Sequence, residues 1–85
     1  MKTAEYMKWF HENLVRGEKN FELGIYNYII DGYSFTTKLT KAGYLSLYDT
    51  TNGKVCIATR IYDDTVAIED SIYAYLYKKM SITKA

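Results

Sequence analysis

One histidine, one cysteine and ten tyrosines are the distinctive reactive side chains of this 85-residue sequence. His11 and Cys56 alone cannot fill a tetrahedral zinc site, which needs four nitrogen or sulfur ligands. Asp63, Asp64, Glu69 and Asp70 form an acidic cluster of the kind that holds a hard cation. The same four residues stand where a helix is expected to begin, and a helix N-terminus favours negative charge. The cluster is therefore read as the start of a helix. Ser34, Ser46, Ser71 and Ser81 have no neighbours that mark a nucleophile, and the five glycines are dispersed, so no phosphate-cradling loop is present. No catalytic residue, metal or cofactor is assigned, and the chain is expected not to be an enzyme.

Composition narrows the remaining classes. Eleven basic and ten acidic residues leave a formal net charge of +1, too balanced for a DNA mimic or a typical duplex-DNA binder. A single cysteine cannot close an intramolecular disulfide. The first residues, MKTAEYMKWFHENL, contain no apolar core of a signal peptide, and no apolar run approaches the ~20 residues of a membrane span. These features predict one cytoplasmic domain over 1–85 that does not enter a membrane. Residues 81–85 are expected to form a frayed tail.

The elements that must position the tyrosines follow from periodicity. Residues 4–16 are predicted to be helical, with Thr3 as cap and Gly17 as the left-handed stop. Tyr6, Met7, Phe10, Leu14 and Val15 share one arc, with Glu5, Lys8, Glu12 and Arg16 opposite. The segments FELGIYNYI, YSFTTKLT, YLSLYD and KVCIATRIY read as strands. IDG, KAG and TNG between them each end in glycine, the pattern of a three-residue hairpin connection with a bulge. Residues 65–80 are predicted to form the last helix, capped by Asp63, Asp64 or Thr65. Ile68, Ile72, Leu76 and Met80 recur every four residues, and Tyr73, Tyr75 and Tyr77 lie in or beside that stripe. The expected fold class is α+β. A four-stranded antiparallel meander lies between an N-terminal and a C-terminal helix (α-β-β-β-β-α), forming a two-layer sandwich.

Register then assigns faces. With three-residue turns throughout, Ile29 sits opposite Tyr33, Thr40 opposite Tyr44 and Thr50 opposite Lys54. One face collects Phe21, Leu23, Ile25, Ile29, Tyr33, Phe35, Leu39, Leu45, Leu47, Val55, Ile57 and Ile61, with Asn27 as a polar blemish. The other collects Tyr26, Tyr28, Ser34, Thr36, Lys38, Tyr44, Ser46, Tyr48, Lys54, Arg60 and Tyr62. A competing register makes Asp31-Gly32 a two-residue turn and pairs Tyr28 with Phe35. The first is preferred because it yields one consistent apolar face.

Element order is close to that of double-stranded RNA-binding domains. Those domains usually begin their last helix with lysines that face phosphates, whereas Asp63, Asp64, Glu69 and Asp70 stand here, so no family is identified. The expected site is the second sheet face: Tyr26, Tyr28, Lys38, Tyr44, Tyr48, Lys54, Arg60 and Tyr62. Tyrosine and arginine are enriched among interface hot spots. The expected function is therefore a small protein-binding module, such as a phage or mobile-element inhibitor of a host defence protein. Its partner would be a host protein or a second copy in a homodimer. The alternative is a single-stranded nucleic-acid binder that stacks bases on the same rings.

Overall fold

The computed structural model describes residues 3–80, so the tail expected at 81–85 lies outside the described residues. Helix α1 spans Thr3–Asn13, and helix α2 spans Thr65–Lys79. Between them run β1 (Val15–Asn20), β2 (Ile25–Ile30), β3 (Tyr33–Leu39), β4 (Leu45–Asp49) and β5 (Val55–Ile61). All neighbours pair antiparallel, in the order β1-β2-β3-β4-β5. The α+β class stands as expected, with five strands where the sequence predicts four. Among the described residues, no helix is long and apolar enough to cross a membrane.

The fifth strand is cut from the end of the predicted first helix. After Leu14 the chain turns extended, and Val15 and Arg16 pair with Ile29 and Tyr28. β-branched Val15 and Gly17 are poor helix formers, and β2 offers an open edge, so pairing wins over helix continuation. Gly17 is not a left-handed stop. Arg16 leaves the neighbourhood of Glu12 and instead meets Glu69 through two hydrogen bonds of 2.8 and 2.7 Å. Tyr6, Phe10 and Leu14 are buried as the helical pattern predicts, whereas Met7 and Val15 are exposed. The predicted boundaries of α2 hold closely, and Asp64 caps it by accepting from the Val66 amide.

Two of the three glycine turns have the predicted form. The Thr40 amide donates to the Tyr44 carbonyl, and Asp49 pairs with Val55, which places Thr50 opposite Lys54. The first turn differs. Ile30 pairs with Tyr33, so Asp31-Gly32 is a two-residue connection, with φ of 44° and 84° at its two residues. Positive φ at both central positions matches the right-handed strand twist, which is why Asp-Gly favours this hairpin.

That turn reverses the predicted faces of β2. Tyr26 and Tyr28 are 3% and 1% exposed and belong to the core, not to the open face. Ile25 and Ile29 point the other way, and Ile29 is 52% exposed. Phe21 and Leu23, expected on the apolar face, are exposed in the Phe21–Gly24 turn. Asn27, the polar blemish, lies on the open face and accepts a 2.9 Å bond from the Thr36 hydroxyl. From Phe35 onward the predicted faces hold in part. Phe35, Leu45, Leu47 and Ile61 are buried, whereas Leu39 and Val55, expected on the apolar face, are exposed. β5 pairs with β4 through register shifts.

One cluster joins these residues to both helices: Tyr6 and Phe10 from α1, Leu14 just after it, Ile68, Ile72 and Leu76 from α2, and Tyr26, Tyr28, Ile30, Phe35, Leu45, Leu47 and Ile61 from the sheet. The two helices meet through rings. Tyr6 lies 4.7 Å from Tyr73 and 5.4 Å from Tyr77 between centroids.

Buried phenols need partners for their hydroxyls. Tyr6 donates to the Tyr73 carbonyl at 2.6 Å, and Tyr26 donates to the Asp63 carboxylate. The Tyr28 hydroxyl is buried with no partner among the described residues. Its own burial, followed by the nearby Glu69 carboxylate, pushes Tyr28 up to about 12. The bond to Asp63, followed by burial, raises Tyr26 to about 12.

Two outcomes follow. Tyr28→Phe removes an unpaired polar atom and keeps the ring, so thermal melting should show stability unchanged or raised by about 1 kcal/mol. A loss beyond that amount would place a partner on the hydroxyl. Because the folded-state values of Tyr26 and Tyr28 lie above that of a free phenol, their contribution is complete below roughly pH 10. It is lost as pH rises toward about 12. Tyrosinate absorbance from these two should therefore rise together with alkaline unfolding.

Candidate functional site

The candidate site is the face of the sheet that carries no helix. Its floor is set by cross-strand pairs: Ile29 with Ser34, Asn27 with Thr36, Thr36 with Tyr48, Lys38 with Ser46 and Tyr48 with Cys56. Short hydroxyl side chains fill the centre. Ser34 and Thr50 hydroxyls lie 2.9 Å apart, and Ser46 is buried. The helices stay on the opposite side, where α2 reaches the sheet through Tyr75 against Phe35 and Asp49.

Aromatic and cationic groups stand over this floor. Lys54 Nζ lies 4.5 Å from the centroid of the Tyr48 ring, a cation–π distance. Tyr44 precedes β4 and Tyr62 follows β5, and their rings meet at 5.9 Å. Tyr62 is 71% exposed. Lys38 is exposed on β3.

Arg60 owes its position to the backbone. β5 pairs irregularly with β4, where Leu45 faces Ile61 and Leu47 faces Ala58, leaving Thr59 and Arg60 to share Ser46. Arg60 takes φ 57°, a left-handed conformation uncommon for a side chain of its size. Such bulges re-aim side chains at strand edges and beside binding sites.

Of the eight residues expected at the site, Lys38, Tyr44, Tyr48, Lys54, Arg60 and Tyr62 are thus on or bordering the open sheet face. Tyr26 and Tyr28 are not. Sequence reasoning missed Val15, Ile25, Asn27 and Ile29, which extend the same face across β1 and β2. The polarity of Asn27 was the signal that could have placed them there.

Elsewhere several polar groups have structural partners. Asp49, buried on the helix side, accepts from the Thr51 amide at 2.9 Å and the Tyr75 hydroxyl at 2.7 Å, with Lys79 Nζ at 4.0 Å. Burial alone would raise its carboxyl. The bonds from Thr51 and Tyr75, together with the Lys79 charge, outweigh that cost and hold it below the ordinary aspartate value. The Asp49 bond in turn raises the Tyr75 phenol.

A groove of about 380 Å³ separates the two helices, between Met7, Phe10 and His11 on α1 and Val66, Glu69, Asp70 and Tyr73 on α2. Glu69 is already engaged by Arg16. Within the acidic cluster, Asp63 serves Tyr26 and Asp64 caps α2. Among the described residues, no three potential ligands converge as a metal site. No protein-family model, curated protein or solved structure matches the chain.

Because the folded-state pKa of Asp49 is depressed, its contribution is complete above the free aspartate value, roughly pH 4. It is lost as pH falls through the lower folded value. Asp49→Asn should lower stability at neutral pH and flatten the acid limb of a stability-against-pH curve. An acid limb identical to that of the parent would exclude this assignment.

Proposed function

We propose that this chain is a small non-enzymatic protein-binding module that docks its partner on the open sheet face. The observation that carries this reading is the uncovered patch itself. Tyr44, Tyr48 and Tyr62, with Lys38, Lys54 and Arg60, surround a floor of short hydroxyl side chains, while both helices occupy the other side. Tyrosine supports such a role because its ring offers a large contact area at small entropy cost and its hydroxyl adds a directional bond. A sheet surface also holds these rings at fixed spacing, which lowers the ordering cost of binding.

The backbone at Arg60 adds support. A left-handed arginine costs about 1 kcal/mol relative to glycine, and glycine would relieve it. Strain of this kind gathers at binding sites. In biological terms the proposal is an inhibitor carried by a phage or mobile element that blocks a host defence protein. Small α+β chains without catalytic motifs are common in that class.

The test is retention of a captured partner by paired variants. Tyr48→Ser and Tyr62→Ser should lose the partner with their thermal melts little changed, whereas Glu12→Gln on α1 should retain it. Arg60→Gly should raise stability by roughly 0.5–1 kcal/mol and still lose the partner. If Tyr48→Ser, Tyr62→Ser and Arg60→Gly all retain every partner of the parent, the open sheet face is not the docking surface.

A further inference from the structure

Charge is distributed unevenly over the fold. Residues 33–62, which span β3 to β5 and their turns, contain Lys38, Lys41, Lys54 and Arg60 against a single acid, Asp49. Asp49 is 5% exposed and is bound on the helix side by Thr51 and Tyr75, so it does not neutralise the open face. The ion pairs among the described residues, Arg16–Glu69 and Lys79–Asp49, use none of the four cations. Of the other nine acids, six belong to the helices or directly precede one: Glu5 and Glu12 in α1, Asp63 and Asp64 before α2, and Glu69 and Asp70 within it. Glu18 lies on β1, and Glu22 and Asp31 lie in the turns at the two ends of β2.

Resting on the protein-binding reading above, we infer that the open face recognises an acidic protein surface, one that presents clustered aspartate or glutamate carboxylates to Lys38, Lys54 and Arg60. Charge complementarity selects this occupant over a second copy docked face to face. Two such faces brought together would set lysines and arginine against their own kind, and like charges across an interface are strongly unfavourable. The rings select it over single-stranded nucleic acid. A base-stacking platform needs open ring faces. Here one face of Tyr48 is covered by Lys54 at 4.5 Å, and Tyr44 and Tyr62 lean on each other at 5.9 Å. The phenol hydroxyls remain as donors for carboxylate oxygens.

The experiment is an amide-shift titration of the isotopically labelled full chain with an oligoglutamate peptide and, separately, with oligothymidine of equal length at the same salt. The peptide should shift Lys38, Ser46, Tyr48, Lys54 and Arg60 and leave Lys8 and Lys78 unmoved. A Lys38→Glu/Lys54→Glu/Arg60→Glu variant should keep its fold and bind the peptide at least about tenfold more weakly. Tighter binding of oligothymidine at the same residues would overturn the inference in favour of nucleic acid. Shifts spread evenly over all lysines, or no shifts, would also overturn it. So would a dimer by light scattering that the triple variant abolishes. The two readings separate in the capture experiment. If the charge-reversed variant keeps a partner that Tyr48→Ser loses, the acidic occupant is wrong while the protein-binding face stands. If the charge-reversed variant, Tyr48→Ser, Tyr62→Ser and Arg60→Gly all retain it, both readings fall.

Discussion

The fold depends on one two-residue turn. Asp31 and Gly32 both take positive φ, which fixes Ile30 opposite Tyr33 and thereby phases all of β2. Side chains alternate across a strand, so a one-residue slip would exchange its two faces completely. With this turn, Tyr26, Tyr28 and Ile30 lie under the helices, and Ile25, Asn27 and Ile29 lie outside. β1 inherits the phase through Arg16 opposite Tyr28. That pairing puts the Arg16 guanidinium on the helix side, where it grips Glu69 of α2. The edge strand, the last helix and the turn are thus coupled, although the turn itself touches neither.

Placing tyrosines in the core carries a cost that the rest of the sequence offsets for all but the Tyr28 hydroxyl. A buried hydroxyl without a partner costs roughly 1–3 kcal/mol. The Tyr6 hydroxyl finds a carbonyl on α2, Tyr26 finds the carboxylate of Asp63, and Tyr75 finds that of Asp49. These bonds run between elements, so they fix how the helices sit on the sheet as well as satisfying polar atoms. Asp63 and Asp49 are accordingly spent on architecture. Glu69 is held by Arg16 and Asp64 by the α2 amide at Val66, so several of the acids that suggest a metal site in one dimension have structural duties in three.

The sequence shows the helices, the strands β2 to β5 and two of the three glycine turns because those signals are local. Four-residue periodicity marks α2, and Thr40 and Tyr44 flank a connection whose length is written in the chain. Two features escaped. β1 reads VRGEKN, six exposed residues with no apolar alternation, and exists only because β2 has an open edge to pair with. The phase of β2 escaped because its two faces carry competing apolar sets, Ile25 and Ile29 against Tyr26, Tyr28 and Ile30. Hydrophobicity alone ranks isoleucine above tyrosine as a core residue. The decision fell instead to turn conformation and to Asn27, which has Thr36 as a partner on one side and would have been an unsatisfied amide on the other. Six of the eight site residues lie on or around β3 to β5, beyond the reach of that single phase error.

What remains on the open face is defined as much by subtraction as by design. Two phenols leave it for the core, and the cations stay. Removing Tyr26 and Tyr28 shifts the balance of the face from aromatic toward basic, because no lysine or arginine moves with them. A face of many free rings would have suited stacked bases. Three rings, one of them already beneath a lysine and two in mutual contact, suit a partner that meets them edge-on and supplies negative charge. The near-neutral total of the chain conceals this because most of the compensating acids lie outside β3 to β5, and those at the α2 start hold the fold together. Long-range attraction between such a face and carboxylates acts before contact and is screened within about 10 Å at moderate salt. On the proposed reading, the sign of charge selects the partner first and the fit of the rings second.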